Sequence, residues 1–168
     1  LRLKRVVILD IMSIALGFIL RVFAGTTLAG VEPSDWLIVC TLTASLFLGF
    51  SKRRSELVLM EGETDPTRKV LKEYSVPFLD QMIAMVTACT VMSYILYTVS
   101  GETIARFGTR NLALTIPFVL FGIFRYLYLI YHRNRVEDPV DLILEDGPSL
   151  LNAFLWIGSI LVIIYSGR

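Results

Sequence analysis

Four charged residues stand directly after the second apolar segment of the chain: Lys52, Arg53, Arg54 and Glu56. Arginine binds phosphate oxygens through paired N–H groups and lysine acts as a point charge, whereas a carboxylate is a hard oxygen ligand for Mg²⁺. If a helix continues through this cluster, Glu56 shares a face with Lys52 and Arg53. The pattern is typical of a site that binds a phosphate together with its Mg²⁺. Basic clusters also anchor membrane helices at their cytoplasmic ends, and this alternative stays open.

Two further ionisable residues, Asp10 and Arg21, lie inside the first apolar segment. An ionisable group within a membrane is costly unless it is paired or faces a polar cavity. Helical spacing places Asp10, Ser13, Gly17 and Arg21 on one narrow stripe, which is expected to face the interior of a helix bundle. We predict that Asp10 binds substrate, with a structural ion pair as the alternative.

The fourth apolar segment carries Arg125, Tyr128 and His132 on one helical face, because they are spaced by three and four residues. We predict that these three side chains bind a lipid phosphate, and pairing within the protein is an equally open role for Arg125. His132 is the only histidine. The sequence therefore gives little support to a histidine metal site or to a Ser-His-Asp triad.

Long apolar segments must position these side chains. Hydrophobic residues make up 55% of the 168 residues, more than a soluble domain of this size would bury. A membrane-spanning helix needs roughly 17–25 residues, and these segments do not alternate as the strands of a membrane barrel do. The sequence thus predicts an all-α, polytopic transmembrane helix bundle. Its five predicted spans are residues 6–24, 36–50, 79–99, 112–131 and 149–165.

The positive charges are distributed unevenly between the two ends of these spans. Eleven Lys and Arg residues lie on the side of the N-terminus and of the connections 51–77 and 132–148, against three on the other side. By the positive-inside rule the first side is cytoplasmic, which places the C-terminus outside. Asp-Pro pairs at 65–66 and 138–139 predict short helices over 67–74 and 140–145. These helices are expected either to cover a site or to rest on lipid headgroups.

Several motifs resemble one family of membrane enzymes. Residues 17–25 and 50–57, and Asp10 after a basic pair, are similar to the later half of the UbiA prenyltransferase family, more narrowly to its decaprenyl-phosphate phosphoribosyltransferase branch. Glu137-Asp138-Pro139 with Leu142 and Asp146 also fits that branch. The family's Asn-Asp-x-x-Asp-x-x-x-Asp motif is absent, and Lys-Arg-x-x-Glu replaces its Asp-x-x-x-Asp. Residues 1–168 thus resemble the C-terminal portion of one transferase domain, helices five to nine.

The resemblance implies transfer of 5-phosphoribose from phosphoribosyl pyrophosphate to a polyprenyl (decaprenyl) phosphate, for cell-wall arabinan synthesis at the bacterial inner (plasma) membrane. It implies Mg²⁺ as cofactor, catalytic roles for Lys52, Arg53 and Glu56, substrate binding by Arg54, and metal binding by Glu56. Because the first metal-binding motif is missing, the segment alone is expected to be inactive. No nucleic-acid partner is expected, and a homo-oligomer is left open. The alternatives are a UbiA-type prenyltransferase acting on an aromatic or other acceptor, and a non-catalytic membrane bundle.

Overall fold

The computed structural model describes residues 8–59, 73–132 and 139–166, and these residues fold as helices with short connections and no strand. Five helices are long and apolar enough to cross a membrane, which confirms the predicted all-α architecture and the number of spans. The helices are α1 (Leu9–Leu28), α2 (Asp35–Leu59), α3 (Val76–Val99), α4 (Gly101–Phe107), α5 (Ile116–His132), α6 (Pro139–Leu144) and α7 (Gly147–Ser166), and a 3-10 turn over Asn111–Thr115 leads into α5.

The second span is longer than residues 36–50. Helix α2 runs on to Leu59, so the charged cluster that follows Phe50 is helical and does not begin a loop. Lys, Arg, Glu and Leu are good helix formers, and the sequence has no Gly or Pro before Gly62 to end the helix. Since α3 begins at Val76, helical structure extends into both ends of the predicted connection 51–77. The short helix predicted over 67–74 lies almost entirely outside the described residues.

The connection 132–148 differs from its prediction in a similar way. Helix α5 includes His132, and α7 begins at Gly147. The short helix predicted over 140–145 is present as α6, one residue earlier at each end. A further short helix, α4, was not predicted. The Ser100 side chain caps α4 by accepting a hydrogen bond from the Thr103 N–H, and Gly108 ends it in the left-handed conformation at φ 69°.

The described residues form two compact units, one of residues 8–59 and 73–90, the other of 91–132 and 139–166. In the first unit α1 packs against α2 at a close contact between Ile11, which is completely buried, and Gly49. A methyl group added to Gly49 would lie 2.6 Å from Cγ2 of Ile11. The two helices therefore approach closely only because residue 49 has no side chain.

In the second unit polar side chains join the helices. The Trp156 N–H donates to the Tyr94 hydroxyl (3.1 Å), which lies 2.7 Å from the Thr115 hydroxyl. Thr115 in turn donates to the carbonyl of Leu112 at 2.6 Å, so Tyr94 is the donor to Thr115. Asn152 of α7 also donates to the Phe118 carbonyl of α5 at 2.9 Å. Such hydrogen bonds connect helices where hydrocarbon offers no competing partner.

The outer surfaces of the five long helices are apolar. Between 6% and 22% of the residues in each span are buried within the protein. The exposed side chains include Leu16, Leu20, Phe124, Phe154 and Val162. A helix with so much exposed apolar surface is solvated by lipid and not by water. The chain is accordingly a multi-pass membrane protein.

Candidate functional site: a charged cluster at the end of two packed helices

Arg53 forms ion pairs with two carboxylates in the first unit. Its Nε lies 3.1 Å from Oδ2 of Asp10, and its Nη1 lies 2.7 Å from Oε2 of Glu56. The two acidic side chains are 5% and 8% exposed, whereas that of Arg53 is 25% exposed. Buried carboxylates stay ionised only with close partners. The structure therefore brings together three of the residues predicted from the sequence.

The packing of α1 against α2 explains why these three residues meet. Asp10 is next to Ile11, and Arg53 lies one helical turn after Gly49 on the same face of α2. The Ile11–Gly49 contact thus places Asp10 beside Arg53. Glu56 reaches Arg53 from the next turn because α2 continues past the end of the apolar segment.

Tyr74 is a member of this cluster that the sequence analysis missed. Its buried hydroxyl donates to Oδ1 of Asp10 at 2.8 Å and accepts from the backbone N–H of Ile8 at 2.6 Å. Burial raises the pKa of the Tyr74 phenol to about 12, and the hydrogen bond to Asp10 acts in the same direction. A tyrosine between two polar residues carries no distinctive sequence signal, so only the fold reveals the contact.

Arg54 and Lys52 complete the basic side of the cluster. Nε of Arg54 lies 2.6 Å from Oδ1 of Asp80 on α3, while Lys52 is exposed. Asp80 was also missed as a member of the cluster. It lies inside the predicted span 79–99, and an acidic residue in a membrane span is a sequence signal because it needs a partner there. Arg53 and Arg54 are thus paired with three acids, so the positive charge of these two guanidinium groups is already balanced.

The other predicted substrate-binding residues belong to the second unit. Arg125 donates from Nε and Nη2 to the two carboxylate oxygens of Asp146, at 3.0 and 2.8 Å. Asp146 also accepts from the backbone N–H and the hydroxyl of Ser149, and so caps the start of α7. The Arg125 hydrogen bonds, and then those of Ser149, hold the pKa of the Asp146 carboxyl well below its ordinary value.

Tyr128 and His132 lie together next to Arg125 on α5. The imidazole stacks on the phenol ring with 4.2 Å between ring centroids, and the Arg125 guanidinium lies 5.1 Å from the same phenol ring. Both rings are exposed. Arg125 therefore has a structural partner in Asp146, as the alternative in the sequence analysis allowed. Binding of a lipid phosphate by this trio remains a prediction.

Metal binding is restricted by the donors that are present. The described residues contain no group of three or more His, Cys, Asp or Glu side chains that could hold a metal ion. Mg²⁺, however, is commonly bound by one or two carboxylates together with substrate phosphates. Glu56 and Asp10, which pair with the same guanidinium, could supply one or two carboxylate ligands of this kind. They do not form a metal site made of protein ligands alone.

The fold and this cluster define a class, namely multi-pass helical membrane proteins with paired charges at the end of a span. No protein-family model matches the chain. It is, however, 28% identical over 163 residues, 96% of its length, to the decaprenyl-phosphate phosphoribosyltransferase of Corynebacterium glutamicum. It is also 29% identical over 97% of its length to the protein of that name from Mycolicibacterium smegmatis. The chain covers 48% and 53% of these relatives, about half of their length.

A third protein of the same name, from Mycobacterium tuberculosis, is 25% identical over 94% of the chain and is covered over 51% of its own length. Three curated relatives of one name, each aligned with nearly the whole chain, confirm the resemblance stated from the motifs. The chain is therefore similar, over nearly its whole length, to about half of the length of these decaprenyl-phosphate phosphoribosyltransferases.

Proposed function

We propose that the chain forms part of a membrane enzyme that transfers 5-phosphoribose from phosphoribosyl pyrophosphate to a polyprenyl phosphate. The similarity to the three transferases carries this proposal. The charged cluster supports it, because guanidinium and ammonium groups beside carboxylates suit a substrate with both a phosphate and a pyrophosphate. The location at the end of apolar spans also lets a water-soluble donor meet a lipid acceptor.

In the proposed reaction an oxygen of the lipid phosphate forms a bond to C1 of the ribose. The bond from C1 to the pyrophosphate oxygen breaks, and its electron pair leaves with pyrophosphate. Positive charge develops on the ribose ring and negative charge on the leaving group. Lys52 and Arg53 would stabilise the leaving pyrophosphate or hold the 5-phosphate. Since the lipid phosphate is already ionised, the protein contributes positioning and electrostatic stabilisation and needs no strong general base.

The balanced charge of the cluster gives a reason for Mg²⁺. Arg53 and Arg54 already pair with Asp10, Glu56 and Asp80, so an incoming pyrophosphate would add several negative charges to a site whose guanidinium charge is already balanced. Mg²⁺ would supply the compensating charge when bound, with Glu56 as its proposed protein ligand. Arg53 would then turn its free donors toward the phosphate oxygens.

The acceptor side is proposed for the end of α5. Arg125, Tyr128 and His132 would bind the lipid phosphate, with Asp146 holding the guanidinium plane in a fixed orientation. The product would serve cell-wall arabinan synthesis at the inner (plasma) membrane of a bacterium, with the charged connections in the cytoplasm. Whether the protein forms a homo-oligomer is independent of this chemistry.

The test uses the natural-length protein in membranes that otherwise lack this activity. Phosphoribosyl pyrophosphate labelled in the ribose is supplied with polyprenyl phosphate and Mg²⁺, and label that enters the organic phase is measured. A parallel sample receives a labelled prenyl diphosphate and an aromatic acceptor. We expect lipid-linked ribose in the first sample alone. If the second sample contained prenylated acceptor and the first contained no lipid-linked ribose, the proposed activity would be prenyl transfer and not phosphoribosyl transfer.

A further inference from the structure

Tyr74 is connected to the charged cluster through one side chain, Asp10. The backbone N–H of Ile8 donates to the Tyr74 oxygen, so the single hydroxyl proton of Tyr74 is left for Oδ1 of Asp10. The phenol ring is 5% exposed and packs near Phe78, with 6.1 Å between ring centroids. The hydroxyl is therefore held in one direction by its ring, its donor and its acceptor.

The two oxygens of Asp10 have different partners. Oδ1 accepts from Tyr74, and Oδ2 pairs with Nε of Arg53. The Tyr74 hydrogen bond uses one lone pair of Oδ1 and competes with Arg53 for that oxygen. A carboxylate with both oxygens available prefers to bind guanidinium through two parallel N–H···O contacts. In the structure Tyr74 binds Oδ1, and the ion pair of Asp10 with Arg53 is made through Oδ2.

The two ion pairs fix the guanidinium plane of Arg53 and leave some of its N–H groups without a carboxylate partner in the described part of the chain. Nε is directed at Asp10 and Nη1 at Glu56, and within the described residues Nη2 has no ion-pair partner. The Arg53 side chain is 25% exposed, so part of it is accessible to a ligand. Two N–H groups on one edge of a guanidinium suit the oxygens of a phosphate.

We propose that Tyr74 is a positioning residue which, through Asp10, keeps the Nη2 edge of Arg53 available to a phosphate or pyrophosphate group. This inference rests on the proposed function for the identity of the anion, a phosphoribosyl pyrophosphate donor. Tyr74 itself touches no substrate. Its hydroxyl selects which oxygen of Asp10 meets Arg53, and so sets the direction of the guanidinium plane.

The experiment compares Tyr74→Phe with wild type in the natural-length protein, at matched abundance. It measures binding of inorganic pyrophosphate to the purified protein, which does not depend on turnover, and also KM and kcat for phosphoribosyl pyrophosphate. We expect pyrophosphate binding to weaken and KM to rise about tenfold, as loss of a hydrogen bond to a charged group implies, with kcat within about twofold of wild type. Tyr165→Phe removes a hydroxyl from an exposed tyrosine of α7 and serves as control.

A second comparison separates positioning from general weakening of the fold. Because Tyr74 acts through Asp10, Asp10→Asn combined with Tyr74→Phe should bind pyrophosphate no more weakly than Asp10→Asn alone. Additive losses, unchanged binding in Tyr74→Phe, or a wild-type protein that does not bind pyrophosphate would each overturn the inference. Weakened pyrophosphate binding in Tyr74→Phe, with no phosphoribosyl transfer by wild type, would support the positioning role and reject the proposed function.

Discussion

At the scale of single residues, one guanidinium holds two nearly buried carboxylates. Arg53 carries a single positive charge, whereas Asp10 and Glu56 together carry two negative charges. The hydroxyl of Tyr74 supplies part of the remaining stabilisation of Asp10. If one of these side chains is removed, a remaining buried polar group loses a partner. The free-energy penalty for that group is larger than the net stabilisation that the intact interaction provides.

Arg53→Ala is therefore expected to lower the free energy of unfolding by roughly 2–3 kcal/mol, less than for a fully buried pair because Arg53 is partly exposed. Arg53→Lys should recover part of the lost free energy of unfolding. The lysine ammonium restores the positive charge, but it lacks the separate N–H groups with which the guanidinium reaches two carboxylates. Unfolding of the detergent-solubilised protein, followed by circular dichroism, measures the change. The control is Arg21→Ala on the exposed side of α1, and equal stability of Arg53→Ala and Arg21→Ala would contradict the prediction.

Asp146 makes stability depend on pH in the acid range. Its folded-state pKa is lowered by Arg125 and Ser149, so its contribution is fully present above the ordinary aspartate pKa of about 4 and is lost as the pH falls below it. Asp146→Asn keeps a good helix cap but removes this titration. Between pH 6 and pH 3 the unfolding temperature of wild type should fall more than that of the variant. Parallel curves for the two proteins would exclude the predicted linkage.

Sequence reasoning identified the cluster at the residue scale only in part. Asp10, Arg53 and Glu56 could be selected because charge within or beside an apolar segment is costly and conspicuous. The meeting of Asp10 with Arg53 depends on how α1 approaches α2, and no local pattern encodes that distance. Tyr74 reaches Asp10 across 64 residues of sequence, which is why this contact became evident only from the fold.

At the scale of the elements, the contact between Ile11 and Gly49 determines the site. A side chain at residue 49 would separate α1 from α2 and with it Asp10 from Arg53. The spans could be predicted from hydropathy, because lipid imposes a minimum helix length. The end of α2 could not be predicted from hydropathy, because the helix continues through the charged residues after Phe50, which are good helix formers but lower the mean hydropathy.

Gly49→Ala should therefore destabilise the protein by about 1–3 kcal/mol, the usual cost of overpacking a close contact. The new methyl group would meet Cγ2 of Ile11, which is fully buried and has no room to move. The thermal unfolding temperature in detergent measures this effect. Gly17→Ala on α1 is the matched control, because nothing lies within 4 Å of the methyl group it adds. A Gly49→Ala protein as stable as Gly17→Ala would show that the two helices are not in close contact.

At the scale of the whole molecule, five helices are long and apolar enough to cross a membrane, and their connections carry unequal numbers of Lys and Arg residues. The distribution of Lys and Arg predicts that the end of α2 and the α6 region are cytoplasmic, and that α4 lies outside. This topology prediction follows from hydropathy and charge alone and uses no tertiary contact. The packing within each unit, in contrast, depends on particular pairs such as Asn152 with the Phe118 carbonyl, and composition does not reveal them.

Single cysteines test the orientation in a background in which Cys40 and Cys89 are replaced by Ala. Glu102→Cys on α4 should react with a membrane-impermeant maleimide on intact cells. Glu145→Cys, after α6, should react only after the membrane is permeabilised. Labelling with the opposite accessibility would invert the topology and move the charged cluster to the outer face.

Transfer of labelled ribose to polyprenyl phosphate tests most directly whether the charged cluster is the anion site of a phosphoribosyltransferase. Wild type, Lys52→Ala, Arg53→Ala and the control Arg110→Ala, which lies beyond α4, are compared at matched abundance in membranes that hold the natural-length protein. We predict lipid-linked label from wild type and Arg110→Ala, and a loss of about 100-fold or more in Lys52→Ala and Arg53→Ala. Wild-type rates in both cluster variants would contradict a catalytic role for this site.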